Sequence, residues 1–181
     1  MRIEREIEIT PTSVILDGKP IATTETGDKM LVELYRRFAG DYPKFFKMDT
    51  LCRLGFIAAE ILLNEKISKC ENEKMSIILA NRSASIKNDT DYLATISEGN
   101  YYPSPSLFVY TLPNIVTGEI AIRHHIQGET SFYILENPAQ LEQILLSTFN
   151  FHLSTLIVGW CECSKPNDFY AKMQIIYGTT D

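Results

Sequence analysis

Two short runs that are almost wholly apolar, MSIILA at residues 75–80 and TLIV at residues 155–158, constrain the fold of this 181-residue chain most strongly. A strand has a continuous apolar run when both of its faces are covered, and helices usually provide that cover. Amphipathic helix patterns precede and separate the two runs. This alternation predicts an α/β fold in one domain over residues 1–181, with a mixed, mostly parallel sheet of about five strands covered by helices.

Turn and cap signals mark the first elements. Isoleucines on both sides of Pro11, followed by Asp17-Gly18, predict an N-terminal hairpin at an edge of the sheet. Apolar residues spaced by three and four predict a helix from Asp28 that Gly40 ends. A second helix begins near Asp49, a favoured N-cap residue.

The second helix carries Gly55 and the pair Ala58-Ala59, so one of its faces is small and a neighbouring backbone can approach closely. A later long helix is interrupted or kinked by Pro113 and ended by Gly128. The elements that follow are a strand at residues 131–135, a helix and a last strand at residues 169–177. The apolar face of the helix that follows residue 135 comprises Leu141, Ile144, Leu145 and Phe149.

Composition excludes several classes of function. A net charge of -6 without any Lys/Arg run makes nucleic acid a poor partner. No signal peptide and no apolar run of about 18 residues is present, so we expect a cytoplasmic protein without a membrane span. The cysteines fit neither a redox pair nor a zinc site, and the adjacent His124-His125 pair faces two sides of a helix, so we expect no metal and no cofactor. The four thiols, which we expect to be reduced, are Cys52, Cys70, Cys161 and Cys163.

The junction between the strand at residues 131–135 and the following helix decides whether this chain has a nucleophile. Asn137 is a favoured N-cap residue, Pro138 a favoured first helical residue, and Gln140 completes a capping box. In enzymes built this way, the helix dipole stabilises the thiolate of a cysteine at such a junction. Glu136 and Asn137 stand there instead, and we expect Asn137 to be a structural cap.

Three segments, KMDTLCRLGFIAAEILL, YPSPSLFVYTLPNIVTGEIAIRHHIQGE and LIVGWCE, together resemble the N-terminal half of a β-ketoacyl-(acyl carrier protein) synthase. These condensing enzymes have the thiolase fold, so the resemblance implies a thiolase-like half domain. Gly159 and Glu162 match the family's Gly-Gly-Ala-Glu turn, in which Trp160 and Cys161 replace the second Gly and the Ala. The other matches are Met48-Asp49, Ala58-Ala59, Asn114, Gly118 and Gly128.

The departures from the family bear on activity. Counted from the glycine before the nucleophile strand, the position of the family's catalytic cysteine falls on Asn137, whose side chain cannot form a thioester. The family's second half, with its catalytic histidines, has no counterpart in this sequence, and His124, His125 and His152 match none of those positions. The family's Gly-rich loop after the second strand is here NRSAS, residues 81–85. The resemblance therefore implies no catalytic residue.

The family includes partner subunits that lack the nucleophile, dimerise with an active ketosynthase and help limit product length. We therefore expect a non-catalytic, chain-length-factor-like partner in fatty-acid-like or polyene/polyketide biosynthesis. It would form a homodimer, or a heterodimer with a full-length ketosynthase, through the strand at residues 130–135, with acyl carrier protein as a further partner. The candidates for this interface, or for an acyl pocket beside it, are Phe108, Val109, Tyr110, Asn114, Thr130, Phe132 and Ile134.

Two other functions stay open at this point. The first is a 3-oxoacyl-ACP synthase-type enzyme that uses another nucleophile, Cys161 or Cys163, or Glu136 as a base. The second is a stand-alone module that binds an acyl or lipid-like ligand.

Overall fold

The computed structural model describes residues 2–64, 75–99, 102–148 and 155–177. Three residues named above lie outside these ranges: Cys70, Phe149 and His152. The strands within them are β1 (Arg2–Thr10), β2 (Ser13–Leu16), β3 (Lys19–Pro20), β4 (Met75–Asn81), β5 (Thr130–Ile134), β6 (Thr155–Lys165) and β7 (Asp168–Tyr177). The helices are α1 (Gly27–Phe38), α2 (Thr50–Leu63), α3 (Ile86–Leu93), α4 (Pro105–Val109), α5 (Ile115–His124) and α6 (Pro138–Thr148), with a 3₁₀ helix at Pro43–Lys47.

The described strands form one sheet in the order β3-β2-β1-β7-β6-β4-β5. β4 pairs parallel with β5 and β6, whereas the other pairings are antiparallel. The mixed α/β class is confirmed, but the sheet has seven strands rather than about five and is mostly antiparallel. The difference arises because tight turns join β1 to β2, β2 to β3 and β6 to β7, and a two-residue turn can only join antiparallel strands.

The N-terminal hairpin of β1 and β2 forms as predicted, and Asp17 and Gly18, with φ angles of 51° and 74°, make the next turn, between β2 and β3. The strand predicted at residues 155–158 is much longer, since β6 continues to Lys165 and returns as β7 through a turn in which Asn167 has a φ of 55°. The segment from Gly159 to Glu162, matched above to a turn, therefore lies inside a strand.

The helices follow the sequence patterns with small shifts. Asp49 caps α2 and accepts a hydrogen bond from the Cys52 amide at 2.9 Å. Pro113 separates α4 from α5, so the predicted long helix is two helices. α5 ends at His124, and it is the left-handed His125, with a φ of 55°, that ends it rather than Gly128.

Gly128 instead packs closely against the start of β4. Its amide donates to the Met75 carbonyl oxygen at 3.2 Å, and a Cβ at Gly128 would collide with that oxygen. A glycine at this position therefore lets β5 enter the sheet beside β4.

Two apolar clusters cover the two faces of the sheet. The larger cluster joins α1, α2 and α5 to one face, and α2 lies at its centre, with most of its residues buried. The smaller cluster joins Leu141 and Leu145 of α6 to the other face of β4 and β6. β4 lies between the two clusters and is buried throughout, as its apolar run predicts. Across the described part of the chain, no helix combines the length and the apolar composition that crossing a membrane requires.

Candidate functional site

The junction after β5 is a hydrogen-bonded helix start. Asn137 Oδ1 accepts from the Gln140 amide at 3.3 Å, as expected for a cap. Gln140 Oε1 in turn accepts from the Glu136 amide at 2.8 Å, one residue before the amide that a capping box would use. The first helical position is Pro138, which has no N–H. The side chain at this junction thus satisfies backbone donors, and an amide cannot act as the nucleophile of acyl transfer.

The ends of β4 and β5 and a residue within β6 meet beside this junction. Glu162 Oε2 of β6 accepts from the Arg82 amide at 2.8 Å, directly after β4. The Arg82 guanidinium lies 3.9 Å from the Glu136 carboxylate, and both side chains are largely exposed. An ion pair this exposed adds little stability, so these groups stay available for other contacts.

The loop of residues 81–85, which the sequence resemblance aligns with a Gly-rich loop, is held by one side chain. Asn81 Oδ1 accepts from the Ala84 amide at 2.9 Å, and Asn81 Nδ2 donates to the Ala84 oxygen at 2.8 Å. Ala84 has a φ of 50°, a region that L-residues rarely adopt. The buried Asn81 amide therefore stabilises the turn in which Ala84 adopts a positive φ.

The thiols proposed as alternative nucleophiles are inaccessible. Cys161 and Cys163 are 0% and 1% exposed in the core beneath α2. Burial raises the pKa of each thiol to about 12, so neither forms a thiolate at neutral pH. Their placement argues against the enzyme hypothesis that depends on them. Glu136, the alternative base, is 76% exposed and faces Arg82.

The two histidines do not form a site. His124 Nε2 lies 2.7 Å from Glu60 Oε1, whereas His125 follows the last residue of α5 in a left-handed conformation. Among the residues that the structure describes, no group of three or more His, Cys, Asp and Glu side chains is placed to hold a metal ion.

The structure does not bring all pocket candidates together. Phe108 and Val109 on α4 are 54% and 45% exposed, whereas Tyr110 is buried in the larger cluster at 7%. The Phe108 ring packs against Tyr92 of α3, with centroids 5.6 Å apart. Asn114 precedes α5, and its side chain makes no cap bond. Phe108 and Val109 can therefore contact a partner, and Tyr110 cannot.

The interface candidates on β5 lie on the free edge of the sheet. Among the described strands, β5 pairs only with β4. Glu129 O accepts from Ile77 N, and Leu135 N donates to Asn81 O, both at 2.8 Å. Alternate residues of a strand direct their backbone groups to opposite sides. The even-numbered residues, Thr130, Phe132 and Ile134, therefore direct their N–H and C=O groups away from β4.

The opposite edge of the sheet is protected. β3 has only two residues, Lys19 and Pro20, and proline lacks the N–H that a further strand would need. β5 has no proline and no charge between Thr130 and Ile134, and Ile134 is 59% exposed. The two edges thus differ in whether another strand can be added.

A set of charged residues that the sequence analysis missed joins α2 to α5. Glu60, 5% exposed, lies 3.1 Å from Arg123 Nε, and Arg123 also contacts Asp41 at 2.6 Å. Glu119, also 5% exposed, contacts Lys44 at 2.5 Å. The signal was present, because Glu60 is the one carboxylate in the apolar helix TLCRLGFIAAEILL. These ion pairs are structural, since they lie between helices and away from the junction.

Gly159, Gly118 and Glu162, three residues that carry the sequence resemblance, have different structural roles. Gly159 is required, because a Cβ there would lie 2.5 Å from Met173 Cγ and 2.6 Å from the Lys172 oxygen. A Cβ added to Gly118 would have no atom within 4 Å, so the match at Gly118 has no packing reason. Glu162 holds the loop after β4 through its bond to the Arg82 amide.

A small cavity lies between α6 and the sheet. Its volume is about 140 Å³, and its walls include Leu141, Leu145, Val158, Trp160 and Tyr170. A space of this size accommodates a benzene-sized group and not a long acyl chain. It gives little support to the binding-module hypothesis.

Comparison with known proteins identifies the fold. No family model matches the chain, and no curated protein matches its sequence. The structure is similar to a ketosynthase (ApeO) in complex with its chain length factor (ApeC) from Xenorhabdus doucetiae, with a TM-score of 0.64 and 11% identity over 99% of this chain and 79% of that chain. It is also similar to the ishigamide ketosynthase/chain length factor, with a TM-score of 0.66 and 14% identity over 97% of this chain.

The chain spans 61% of the length of the second matched chain. At such low identities the similarity shows the fold alone. The fold is ketosynthase-like and thiolase-like, which confirms the fold that the sequence resemblance implied.

Proposed function

We propose that this protein is a non-catalytic partner subunit of a ketosynthase, similar in role to a chain length factor, in polyketide-type or fatty-acid-like biosynthesis. The observation that carries the proposal is Asn137, which caps α6 on a ketosynthase-like fold at the position where the family resemblance places the nucleophile. The low identity of the structural relatives supports only the fold, so the role rests on the chain's own residues.

The free edge of β5 supports the pairing part of the proposal. An unprotected edge strand invites association, and natural sheets normally block such edges. In the part of the chain that the structure describes, β3 is blocked by Pro20, whereas no strand pairs with the outer side of β5 at Thr130, Phe132 and Ile134. Antiparallel addition of a partner's edge strand to β5 would satisfy these backbone groups and would give one continuous sheet.

The surface next to β5 adds apolar area to this interface. An open groove between α6 and the end of β5 is lined by the apolar Ile134, Leu135 and Ile144 together with Arg82, Glu136, Gln140 and Gln143. Backbone pairing alone gives a small contact, whereas stable interfaces need a larger buried area with an apolar centre. The groove gives a partner's helix a place to pack beside the paired strand.

α4 is the second region that a partner or its acyl substrate would contact. Phe108 and Val109 of α4, and Leu112 in the turn after it, expose about half of their surfaces, at 54%, 45% and 50%. Aromatic and aliphatic side chains on a short helix are suited to shaping the end of an acyl pocket that another subunit completes. In this role α4 would limit the length of the product without taking part in bond formation.

Co-expression with full-length ketosynthases from the same cell tests the proposal. Affinity purification of the full chain followed by native mass spectrometry should detect a complex with one ketosynthase. Ile134→Lys should abolish that complex, because it places a charge between the paired strand and the apolar part of the groove beside it. The matched control is Ile3→Lys on β1, where the isoleucine is similarly exposed at 54% but three strands separate it from β5.

A solitary monomer in the presence of every ketosynthase of the cell would overturn the proposed function. A complex that survives Ile134→Lys would show a different interface. A second measurement addresses catalysis: incubation with acyl-loaded carrier protein should leave the mass of this chain unchanged, and a covalent acyl adduct would contradict a non-catalytic role.

A further inference from the structure

α4 is too short to be stable by itself. Its five residues, Pro105–Val109, form little more than one turn, and an isolated helix of this length is unstable in water. Its local signals are a proline at the first helical position and Ser104, whose hydroxyl accepts from the Leu107 amide at 3.4 Å. The orientation of the exposed side chains of α4 therefore depends on what else holds this helix.

Two side chains from the α3 segment bond to the backbone on either side of Phe108. Asn88 Nδ2 donates to the Leu107 oxygen at 2.8 Å, and Ser85 Oγ donates to the Thr111 oxygen at 2.6 Å. Both donor side chains are buried, so water competes little for these bonds. The α3 segment thus fixes where the backbone of α4 lies.

Asn88 indicates that this arrangement does more than stabilise the fold. Its side chain is 1% exposed, and within the described ranges its Oδ1 has no hydrogen-bond partner. A buried amide with one unpaired polar atom costs stability, whereas an apolar side chain of similar size would not. Residues that break a local rule at such a cost concentrate at functional sites. What Asn88 supplies is the bond that holds the Leu107 carbonyl.

The ring of Tyr92 supports Phe108 from one side. The two ring centroids are 5.6 Å apart and the rings are tilted by 55°, which is a favourable aromatic arrangement. The Ser104 amide donates to Thr95 Oγ1 at 3.2 Å, so the start of α4 is held by the same segment. Phe108 is therefore braced by Tyr92 and still exposes about half of its surface.

We propose that Ser85, Asn88 and Tyr92 are positioning residues that set the orientation of Phe108 before any partner binds, so that this chain itself sets the limit on product length. The inference rests on the proposed function, in which α4 shapes the end of an acyl pocket, and it adds which residues fix that end. A wall that is ordered in advance defines one length, because α4 does not have to become ordered on binding.

Hydrogen exchange of the isolated full-length chain tests whether the α3 segment holds α4. Asn88→Ala should speed exchange in a peptide spanning residues 104–112 about tenfold, because loss of a buried hydrogen bond favours local opening. Thr90→Ala is the matched control, since Thr90 is exposed on α3 and its hydroxyl bonds to the Ile86 oxygen of the same helix. The control should leave exchange in that peptide unchanged.

A second variant and a second peptide guard against general unfolding. Ser85→Ala removes the bond to the Thr111 oxygen and should also speed exchange in α4, while exchange in α2 stays at the wild-type rate. Wild-type exchange of α4 in both variants would overturn the inference. An equal rise in α2 and α4 in both variants would overturn it as well, because the effect would then be on the whole fold.

Product length in the ketosynthase complex tests what the brace does. The complex is supplied with acyl-loaded and malonyl-loaded carrier protein, and mass spectrometry measures the lengths of the carrier-bound chains. Tyr92→Ala frees one side of Phe108 and should give a several-fold larger share of chains beyond the wild-type length. Tyr92→Phe keeps the ring and should retain the wild-type distribution. A structural role alone would lower the total yield and leave the lengths unchanged.

The outcomes separate this inference from the proposed function. Unchanged lengths in Tyr92→Ala, or the same lengthening in Tyr92→Phe, would overturn the inference while the ketosynthase complex stands. A wild-type chain that binds no ketosynthase would overturn both, since α4 would then have no product to limit.

Discussion

Gly55 of α2 and Val116 of α5 are in such close contact that a Cβ on Gly55 would collide with Val116 Cγ1. Cys161 Sγ of β6 would lie 3.7 Å from the same Cβ, so the glycine lies between a helix and the sheet. This contact is the structural reason for the small face that the sequence of α2 predicts. It sets the distance between α2 and α5 and so the position of α5 below β5.

Gly55→Ala should destabilise the protein by about 2 kcal/mol, because the cost of overpacking exceeds the gain in helix propensity. Gly118→Ala is the control within α5, where no atom lies within 4 Å of the added Cβ. It should stabilise the protein by about 0.5–1 kcal/mol through helix propensity alone. Urea unfolding at neutral pH measures both changes, and equal effects of the two alanines would contradict the packing argument.

Asp49 should make stability depend on pH. Burial raises the pKa of its carboxyl to about 6 from an ordinary value of 3.8, although the Cys52 amide favours the ionised form. The folded state therefore binds a proton more tightly than the unfolded state between these values. The free energy of unfolding contributed by Asp49 is greatest below about pH 4 and is lost as pH rises through about 6.

Asp49→Asn isolates this effect, since asparagine is an equally good N-cap and does not titrate. The variant should gain stability relative to the wild type as pH rises from about 4 to about 7, by on the order of 2 kcal/mol. Unfolding curves of both proteins at several pH values measure the difference. A constant difference across this range would show that Asp49 titrates at its ordinary pKa.

Asn137→Cys should create an exposed thiol at the start of α6. The helix dipole lowers the pKa of a cysteine at such a position, so alkylation of the folded variant should be fast at neutral pH. Loss of the cap should cost about 1 kcal/mol, whereas the control Asn137→Ser should keep most of it. Mass spectrometry after timed alkylation, with the wild type as background, measures the reaction; a thiol that reacts only after unfolding would disprove the exposed junction.

Removing Arg123 should destabilise the contact between α2 and α5. Arg123→Met leaves the buried Glu60 carboxylate without its guanidinium partner, and we expect a loss of about 2–3 kcal/mol. The control Arg36→Met changes an exposed residue of α1 and should cost less than about 0.5 kcal/mol. Glu60→Met/Arg123→Met should recover part of the loss in thermal unfolding; a double variant weaker than Arg123→Met would contradict a charge-burial cause.

The sequence by itself predicted the elements whose signals are local. The apolar run of β4, the Asp49 cap of α2, the Pro113 break and the Asn137 cap all form, because side-chain hydrogen bonds, proline geometry and apolar spacing act within a few residues. The ketosynthase-like fold also followed from the order of short motifs along the chain.

Only the tertiary structure decided the number and direction of the strands, which cysteines and charges are buried, and which strand lies at an open edge. β6 extends past Gly159 because β7 pairs along its whole length, and the ion pairs of Glu60 exist because α5 packs on α2. Phe108 and Tyr110, two residues apart, end on the surface and in the core. Pairing and burial join residues far apart in the chain, so no pattern within a short window of the sequence contains them.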